Sequence, residues 1–274
     1  MVTLPPIAIL GTGSMGGAIL SGLLSPDVTV QGGIRVTNRT ETKAAALRSD
    51  AVTSFATDVE PTANLIAVAG ARIVLVAVKP IMVADLLREI RDALEPGSIV
   101  ISVAAGVTLA TMEALVPGAV LRAMPNTPST VGRGVTGLSG GSRASVDDVA
   151  VASALFGTVG AVIEVPESQI DAVSAISGSG PAYVFFLIEE LTRTAVGLGF
   201  SDEQASLMVE NTFRGASELL ASSNAGPAEL RRRVTSPKGT TERAIGVLEE
   251  ANLSGLFDRA TAAAIARAQE LAAG

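Results

Sequence analysis

The chain has 274 residues and a formal net charge of −7, and it contains no Cys and no His. The acidic balance argues against a nucleic-acid partner, because binders of the phosphate backbone carry a basic surface. Without thiol or imidazole there is no disulfide, thiolate nucleophile, Cys-ligated zinc, Ser-His-Asp triad or HExxH metal site, so no metal is expected, and the chemistry must suit such a chain, as cofactor hydride transfer does.

Apolar residues make up 48% of the chain and aromatics only 3%, which predicts a core of Ala, Val, Leu and Ile. No apolar run approaches the ~18 residues of a membrane helix. The most apolar zone, residues 65–87, is broken by Arg72, Lys79 and Asp85. The start, "MVTLPPIAIL", lacks the basic residues of a signal peptide. A cytoplasmic chain with no membrane partner is expected.

The first predicted strand, "IAIL", runs into Gly11, Gly13 and Gly16 in the spacing Gly-x-Gly-x-x-Gly, and a helix follows. Strand, glycines and helix in this order form the dinucleotide-binding fingerprint. Gly11 makes the tight turn, Gly13 lets the backbone approach the pyrophosphate, and Gly16 lets helix and strand pack closely. Free amides and the helix dipole then hold the phosphates. The second strand, "IRVTNRT", ends at Asn38, Arg39 and Thr40. A carboxylate here would bind the ribose 2′-hydroxyl of NAD. None is present to repel a 2′-phosphate, and Arg39 offers a planar donor fork to one. The reading is NADPH preference, with NADH possible.

Strands are predicted at residues 72–80, 96–106 and 119–128, with helical stretches near 57–69, 81–94 and 109–115. The strand ends "AVKP", "VAAG" and "MPNTP" put small or polar residues, Asn126 among them, at the carboxyl edge, where doubly wound sheets bind ligands. Lys79, one of three lysines, is a catalytic acid, a phosphate contact or a stem lining the crevice.

A helix near 145–156 and the strand "AVIEV" follow. Beyond Pro166 only helical periodicity remains, so the predicted domains are 1–165, dinucleotide-binding, and 166–274, all-helical. "SGSGP" starts a helix whose body is apolar on every side. In so small a helical domain that composition suggests burial against another subunit. Helices are predicted near 201–222, 227–234, 240–251 and 255–273. Between the middle two lies "TSPKGTT", residues 235–241, with more hydroxyls and amides than a surface turn needs. Arg231, Arg232 and Arg233 just before it read as a solvated helix end.

"GTGSMGGAI", "AVKP", "AAGV", "MPNTP", "SGSGPAY" and "VTSPKGTT", in this order and spacing across nearly the whole chain, resemble the pyrroline-5-carboxylate reductase family. The resemblance implies an α/β fold: an N-terminal Rossmann doubly wound sheet followed by an all-α C-terminal dimerisation domain. It implies NAD(P)H-dependent reduction of 1-pyrroline-5-carboxylate to L-proline, the last step of proline biosynthesis. It also implies a homodimer through the C-terminal helices, which many members build into a ring of dimers. Leu10, Gly11, Thr12, Gly13, Ser14 and Met15, with Asn38 and Arg39, would meet the adenine-side phosphates and ribose. Asn64 matches another cofactor position. Ala77, Val78, Lys79 and Pro80, with Val103, Ala104, Ala105 and Gly106, would line the cofactor crevice. Glu167, Val234, Ser236, Gly239, Thr240 and Thr241 would face the substrate.

On that resemblance, consecutive amides of residues 236–241 form an anion site for the substrate carboxylate. Pro237 alone gives no amide, and hydroxyls of Ser236, Thr240 and Thr241 add donors. An imine bound already protonated needs no general acid. A hydroxyl then suffices to orient its N–H, a role that the resemblance assigns to Thr241, and a helix cap is its other reading. The family usually has Ser-Pro-Gly-Gly-Thr, and here Lys238 replaces the first glycine. If that position needs φ above zero, lysine costs on the order of a kcal/mol. Its side chain either adds charge near the carboxylate or points to solvent. Reduction of another cyclic imine stays open, as does a non-catalytic NADP(H)-binding regulator, which would not need the hydroxyl-rich loop. A hydroxyacid dehydrogenase would need a lysine on a helix of the second half, where Lys238 stands alone, in a loop.

Overall fold

The computed structural model describes residues 1–273. Its contacts separate two compact units, Met1–Ser179 with the chain end from Ala264, and Gly180–Ala263. In chain order the first contains β1 (Val2–Leu4), β2 (Ile7–Leu10), α1 (Ser14–Leu23), β3 (Val28–Val30), β4 (Ile34–Asn38), α2 (Glu41–Ala45) and β5 (Val52–Ala56). Then come α3 (Ala63–Val68), β6 (Ile73–Val76), α4 (Pro80–Ile90), β7 (Ile99–Ser102), α5 (Leu109–Glu113) and β8 (Ala119–Met124). It continues through β9 (Gly134–Gly140), α6 (Val146–Gly157), β10 (Gly160–Glu164) and α7 (Ile170–Val173).

Eight strands form one sheet in the order β10-β9-β8-β7-β6-β2-β4-β5, and β1 pairs with β3 apart from it. Every pairing in the large sheet is parallel except β8 with β9. The chain reverses direction across the sheet between β2 and β6, the switch point at which this architecture binds ligands. The strands are continuous apolar runs because both faces are covered. Their alternating side chains sort onto the two faces. Ile7, Ile9, Ile73 and Leu75 join Ile19, Leu23 and Phe156 of α1 and α6. Ala8, Leu10, Val74 and Val76 join Ala67, Val83, Leu87 and Met112 of α3, α4 and α5. The aliphatic core that the composition predicts is realised, and Phe156 is the one aromatic ring among its buried members.

Two strands of the large sheet lack a sequence signal. β5, "VTSFA", is short and half polar. β9, "GVTGLSG", carries three glycines and reads as a loop, yet packing demands those glycines. A Cβ on Gly134 would lie 2.2 Å from the Ser129 Oγ, and one on Gly137 would lie 2.7 Å from Val173. The contact between Gly137 and Val173 also explains why the first unit runs on to Ser179 and not merely to Pro166. Ile170, Val173 and Ala175 are buried.

Arg72, just before β6, donates to the Asp148 carboxylate of α6 at 2.7 Å, while the Ser145 amide and hydroxyl hold its other oxygen. Burial opposes the charge on Asp148. The hydrogen bonds from Arg72 and Ser145 outweigh it and hold the carboxyl below its ordinary 3.8. A carboxyl depressed in the folded state stabilises above its unfolded pKa, and that contribution is lost as pH falls through the folded value. Asp148→Asn is therefore expected to cost about 1–3 kcal/mol near neutrality. The melting-temperature gap from wild type should narrow below about pH 4. Equal gaps at pH 7 and pH 3 would show that the charge contributes nothing.

The second unit holds α8 (Gly180–Gly197), α9 (Asp202–Ser222), α10 (Pro227–Arg233), α11 (Thr240–Glu250) and the first part of α12 (Leu253–Ala273). Capping fixes the start of α9, where the Ser201 hydroxyl accepts the Gln204 amide and Gln204 reaches back. α8, the helix expected to be buried against another subunit, is largely uncovered in the single chain. Ala195 is its single buried residue, whereas Phe185 and Phe186 are 66% and 59% exposed. The expectation that no apolar run nears a membrane span is corrected: the helical stretch Glu167–Gly197, 31 residues with an 18-residue window of mean hydropathy 1.3, is long and apolar enough to cross one. The length arises because a π-helical turn, Ser174–Gly178, continues α7 toward α8 through glycines that the sequence punctuates as a break.

Candidate active site

The crevice at the switch point is built by three glycines, two of which leave no room for a side chain. Gly11 leaves β2 at φ +93°, and its amide reaches across to Thr37 of β4. A Cβ there would press on the Ala77 carbonyl at 2.9 Å. Gly16 is tighter, its Cβ falling 2.2 Å from the Gly11 carbonyl. Gly13, the N-cap of α1, has open space where a Cβ would stand, and no side chain caps the helix. The first amides of α1, from Ser14, Met15 and Gly16, therefore lack intrahelical partners beside an open approach.

The adjoining strands complete the edge. The Ala77 amide bonds to the Leu10 carbonyl at 2.9 Å, and the Val103 amide to that of Val76 at 3.1 Å. Lys79 is the exposed N-cap of α4, with Pro80 in its first turn. Val78 is half-buried. Ala104 is buried with its amide on the Ser102 hydroxyl, Ala105 is exposed, and Gly106 turns at φ +77°. At the end of β4 the Thr12 hydroxyl donates to Oδ1 of Asn38. Asn38 is only 7% exposed, and its Nδ2 has no partner. Arg39 next to it is exposed and makes no ion pair among the described residues, and Thr40 caps α2 through its backbone. An orphaned donor, an unpaired guanidinium and a cradle that a Cβ would partly fill together fit a dinucleotide with a phosphorylated ribose.

Three further expected cofactor residues have contacts of their own. Leu10 is a fully buried core residue whose backbone belongs to the strand ladder. Asn126 is buried with both polar atoms used: Nδ2 donates to the Ser177 carbonyl and Oδ1 accepts the Val135 amide, at 2.9 and 2.8 Å. These two bonds make it a bridge between β9 and the segment before α8. Asn64 turns its Nδ2 to the Glu89 carboxylate at 3.1 Å.

Glu167 lies in the first unit. Its Oε1 accepts the Leu109 amide at 2.7 Å, and Arg122 donates to it at 3.4 Å and to Asp171 at 3.0 Å. Arg122, 6% exposed, escaped the sequence reading because nothing in "AVLRAM" signals its partners more than forty residues on.

In the second unit, Val234, Ser236, Gly239, Thr240 and Thr241 are brought together at the start of α11, with Val234 exposed and Thr241 half-buried. Lys238 does adopt the left-handed conformation, at φ 62°. Gly239 is the N-cap, its amide bonds to the Ser236 carbonyl at 3.0 Å, and no side chain caps the helix. The Lys238 amide donates to Glu242 at 2.8 Å. The expected run of free amides over residues 236–241 is thus corrected: those of Lys238 and Gly239 are consumed inside the loop. Thr240 and Thr241, at the first two helical positions, keep theirs. Glu242 was missed, although a carboxylate three residues past an N-cap is a recognisable capping signal. Arg231 pairs with Glu249, and Arg232 and Arg233 pair with Glu229. Those two guanidiniums, Arg232 first, bring the Glu229 carboxyl down to about 2.

Known proteins share both halves of this arrangement. A family model described as pyrroline-5-carboxylate reductase dimerisation matches residues 167–271, and one described as NADP oxidoreductase, coenzyme F420-dependent, matches residues 6–106. A pyrroline-5-carboxylate reductase of Corynebacterium melassecola is 39% identical over 270 residues, covering 97% of this chain and 98% of its own. The solved pyrroline-5-carboxylate reductase of Coxiella burnetii superposes with a TM-score of 0.89 at 38% identity, covering 97% of each chain. The Plasmodium falciparum pyrroline carboxylate reductase, solved with NADP bound, shares the fold at a TM-score of 0.80 and 24% identity, covering 97% of this chain and 98% of its own.

Proposed function

The chain belongs to the pyrroline-5-carboxylate reductase family, and from that premise we propose how its residues divide the work. It reduces 1-pyrroline-5-carboxylate to L-proline with NAD(P)H, the final step of proline biosynthesis. The observation that carries the reading is one chain, free of His and Cys, that joins a dinucleotide crevice holding an unpartnered Asn38 donor to a loop of hydroxyls at a helix start.

Bound NADPH supplies the hydride. The amides of Ser14, Met15 and Gly16 receive the pyrophosphate at the start of α1. Asn38 and Arg39 face the adenine-side ribose and its 2′-phosphate, with Thr12 holding the Asn38 carbonyl oxygen. Thr40 borders them, Asn64 would also contact the cofactor, and residues 77–80 and 103–106 would line the crevice. The Thr240 and Thr241 amides, with the hydroxyls of Ser236 and Thr240, hold the substrate carboxylate without a bulky cation. Thr241 Oγ1 accepts the N–H of the protonated ring, so no general acid is required. Val234 and Gly239 border the ring, and Glu167 orders the segment that leads into the helical domain.

The domains are residues 1–165 for the cofactor and 166–274 for substrate and assembly, although compact packing carries the first on to Ser179. A dimerisation domain implies a homo-oligomer. The exposed face of α8, with Phe185, Phe186 and Leu187, is covered by the same helix of a second copy in a homodimer, which can be built into a ring of dimers. Burial against a partner, rather than a membrane, accounts for this apolar helix, since Glu189 and Glu190 pair with Arg193 along it. The compartment we assign is the cytoplasm.

The test is the loss of nicotinamide absorbance with pyrroline-5-carboxylate, run with NADPH and then with NADH. Turnover with NADPH at the lower KM is expected. Arg39→Ala should raise KM for NADPH by roughly 10- to 100-fold, the worth of a hydrogen-bonded charge pair, and leave KM for NADH unchanged. A KM for NADH equal to or below that for NADPH in the wild type would refute the assignment of Arg39.

A further inference from the structure

Lys238 occupies a backbone conformation that a side chain disfavours, in the loop assigned to the substrate's carboxylate, and the role of Glu242 argued from it rests on that assignment. Its φ of 62° lies in the left-handed region, where L-residues other than glycine are strained. Its neighbour Gly239 is itself confined to glycine, because a Cβ there would stand 2.9 Å from the Ser236 carbonyl. Pro237 on the other side has φ fixed by its ring. Something must hold Lys238 in place, and one contact does so: its amide donates to Oε2 of Glu242 at 2.8 Å.

We infer that Glu242 is a positioning residue for imine reduction. By taking the Lys238 amide it secures the left-handed turn, and the turn presents the amides and hydroxyls of Thr240 and Thr241 to the substrate. The tether also handles a charge conflict. Glu242 is an anion in the first turn of the helix whose N-terminus receives another anion. Tethered back to residue 238, it satisfies an amide of the turn and leaves those of the first two helical positions for the ligand. Where glycine holds the turn unaided, this tether is dispensable; with lysine it is required.

The experiment compares E242A, E242Q, K238G and the double variant E242A/K238G in the full-length enzyme. Loss of one hydrogen bond predicts that E242A raises KM for pyrroline-5-carboxylate roughly fivefold while KM for NADPH stays constant. E242Q, whose amide oxygen still accepts, should restore most of that loss. Adding K238G to E242A should shrink the penalty to less than about twofold, since glycine adopts φ above zero at no steric cost. A helix cap with no role in binding would instead lower the melting temperature equally with and without K238G and leave KM alone. That pattern, or an unchanged KM in E242A, overturns the inference. A wild-type protein inert toward the imine is a different failure. It removes the assignment of the loop as the substrate site, and the role of Glu242 in reduction falls with it.

Discussion

Thr241→Ala is expected to lower kcat/KM for pyrroline-5-carboxylate by roughly 10- to 150-fold, the worth of about 1.5–3 kcal/mol for a hydrogen bond to a charged group. The imine is bound already protonated, so the N–H that Thr241 accepts belongs to a cationic centre from the start, and hydride addition to the adjacent carbon leaves a neutral amine that keeps this hydrogen. The loop has no imidazole or thiol, and the one carboxylate beside it, Glu242, is held by the Lys238 amide, so the hydroxyl oxygen has no substitute there. Its second reading, as a cap on α11, loses ground in the structure. The N-cap is Gly239, and no side chain accepts from the helix's first amides. Thr241→Ala should therefore melt within a degree or two of wild type, and Thr241→Ser should recover most of the activity. An alanine variant whose kcat/KM stayed within twofold of wild type would remove Thr241 from the reaction.

Gly13 and Gly16 should fail in opposite ways when enlarged, although both belong to one motif. Gly16→Ala places a methyl 2.2 Å from the Gly11 carbonyl, and Ala77 is also within 3.2 Å. These are backbone and a short side chain, which cannot swing aside. Overpacking of this kind costs about 1–3 kcal/mol or more, so the protein should melt several degrees lower before any cofactor is added. Gly13→Val adds a Cβ that meets nothing within 4 Å in the protein. Its melting temperature should hold, while Kd for NADPH, measured by titration calorimetry, rises roughly tenfold or more as the side chain enters the space of the pyrophosphate. A Gly13→Val protein that bound NADPH as tightly as wild type would show that the dinucleotide lies elsewhere.

Strands and glycines differ in how openly the chain declares them. β2, β4, β6, β7 and β8 announce themselves as apolar runs with polar ends, and the glycine turn after β2 is a contiguous signal. β9 is different. Its glycines look like loop glycines until Ser129 and Val173 are seen to fill the space where their side chains would be. Asn126 belongs to a motif that reads as a ligand-facing strand end, yet Ser177 and Val135 take both of its polar atoms. Lys238 carries its conformation as a question in the sequence, and the answer depended on the backbone.

The two-part architecture, the cofactor class and the hydroxyl loop are legible in the chain, because each is written in neighbouring residues whose spacing matches a local geometry. Folding alone reveals that two of the loop's amides are already engaged and that Glu242 secures Lys238. It likewise reveals that Asn38 holds a donor in reserve and that α8 finds no cover within its own unit. The division has a physical origin. Periodicity and turn chemistry act over a few residues, whereas the partner of a buried donor or an apolar face is chosen by what folding brings beside it, and no local pattern specifies that.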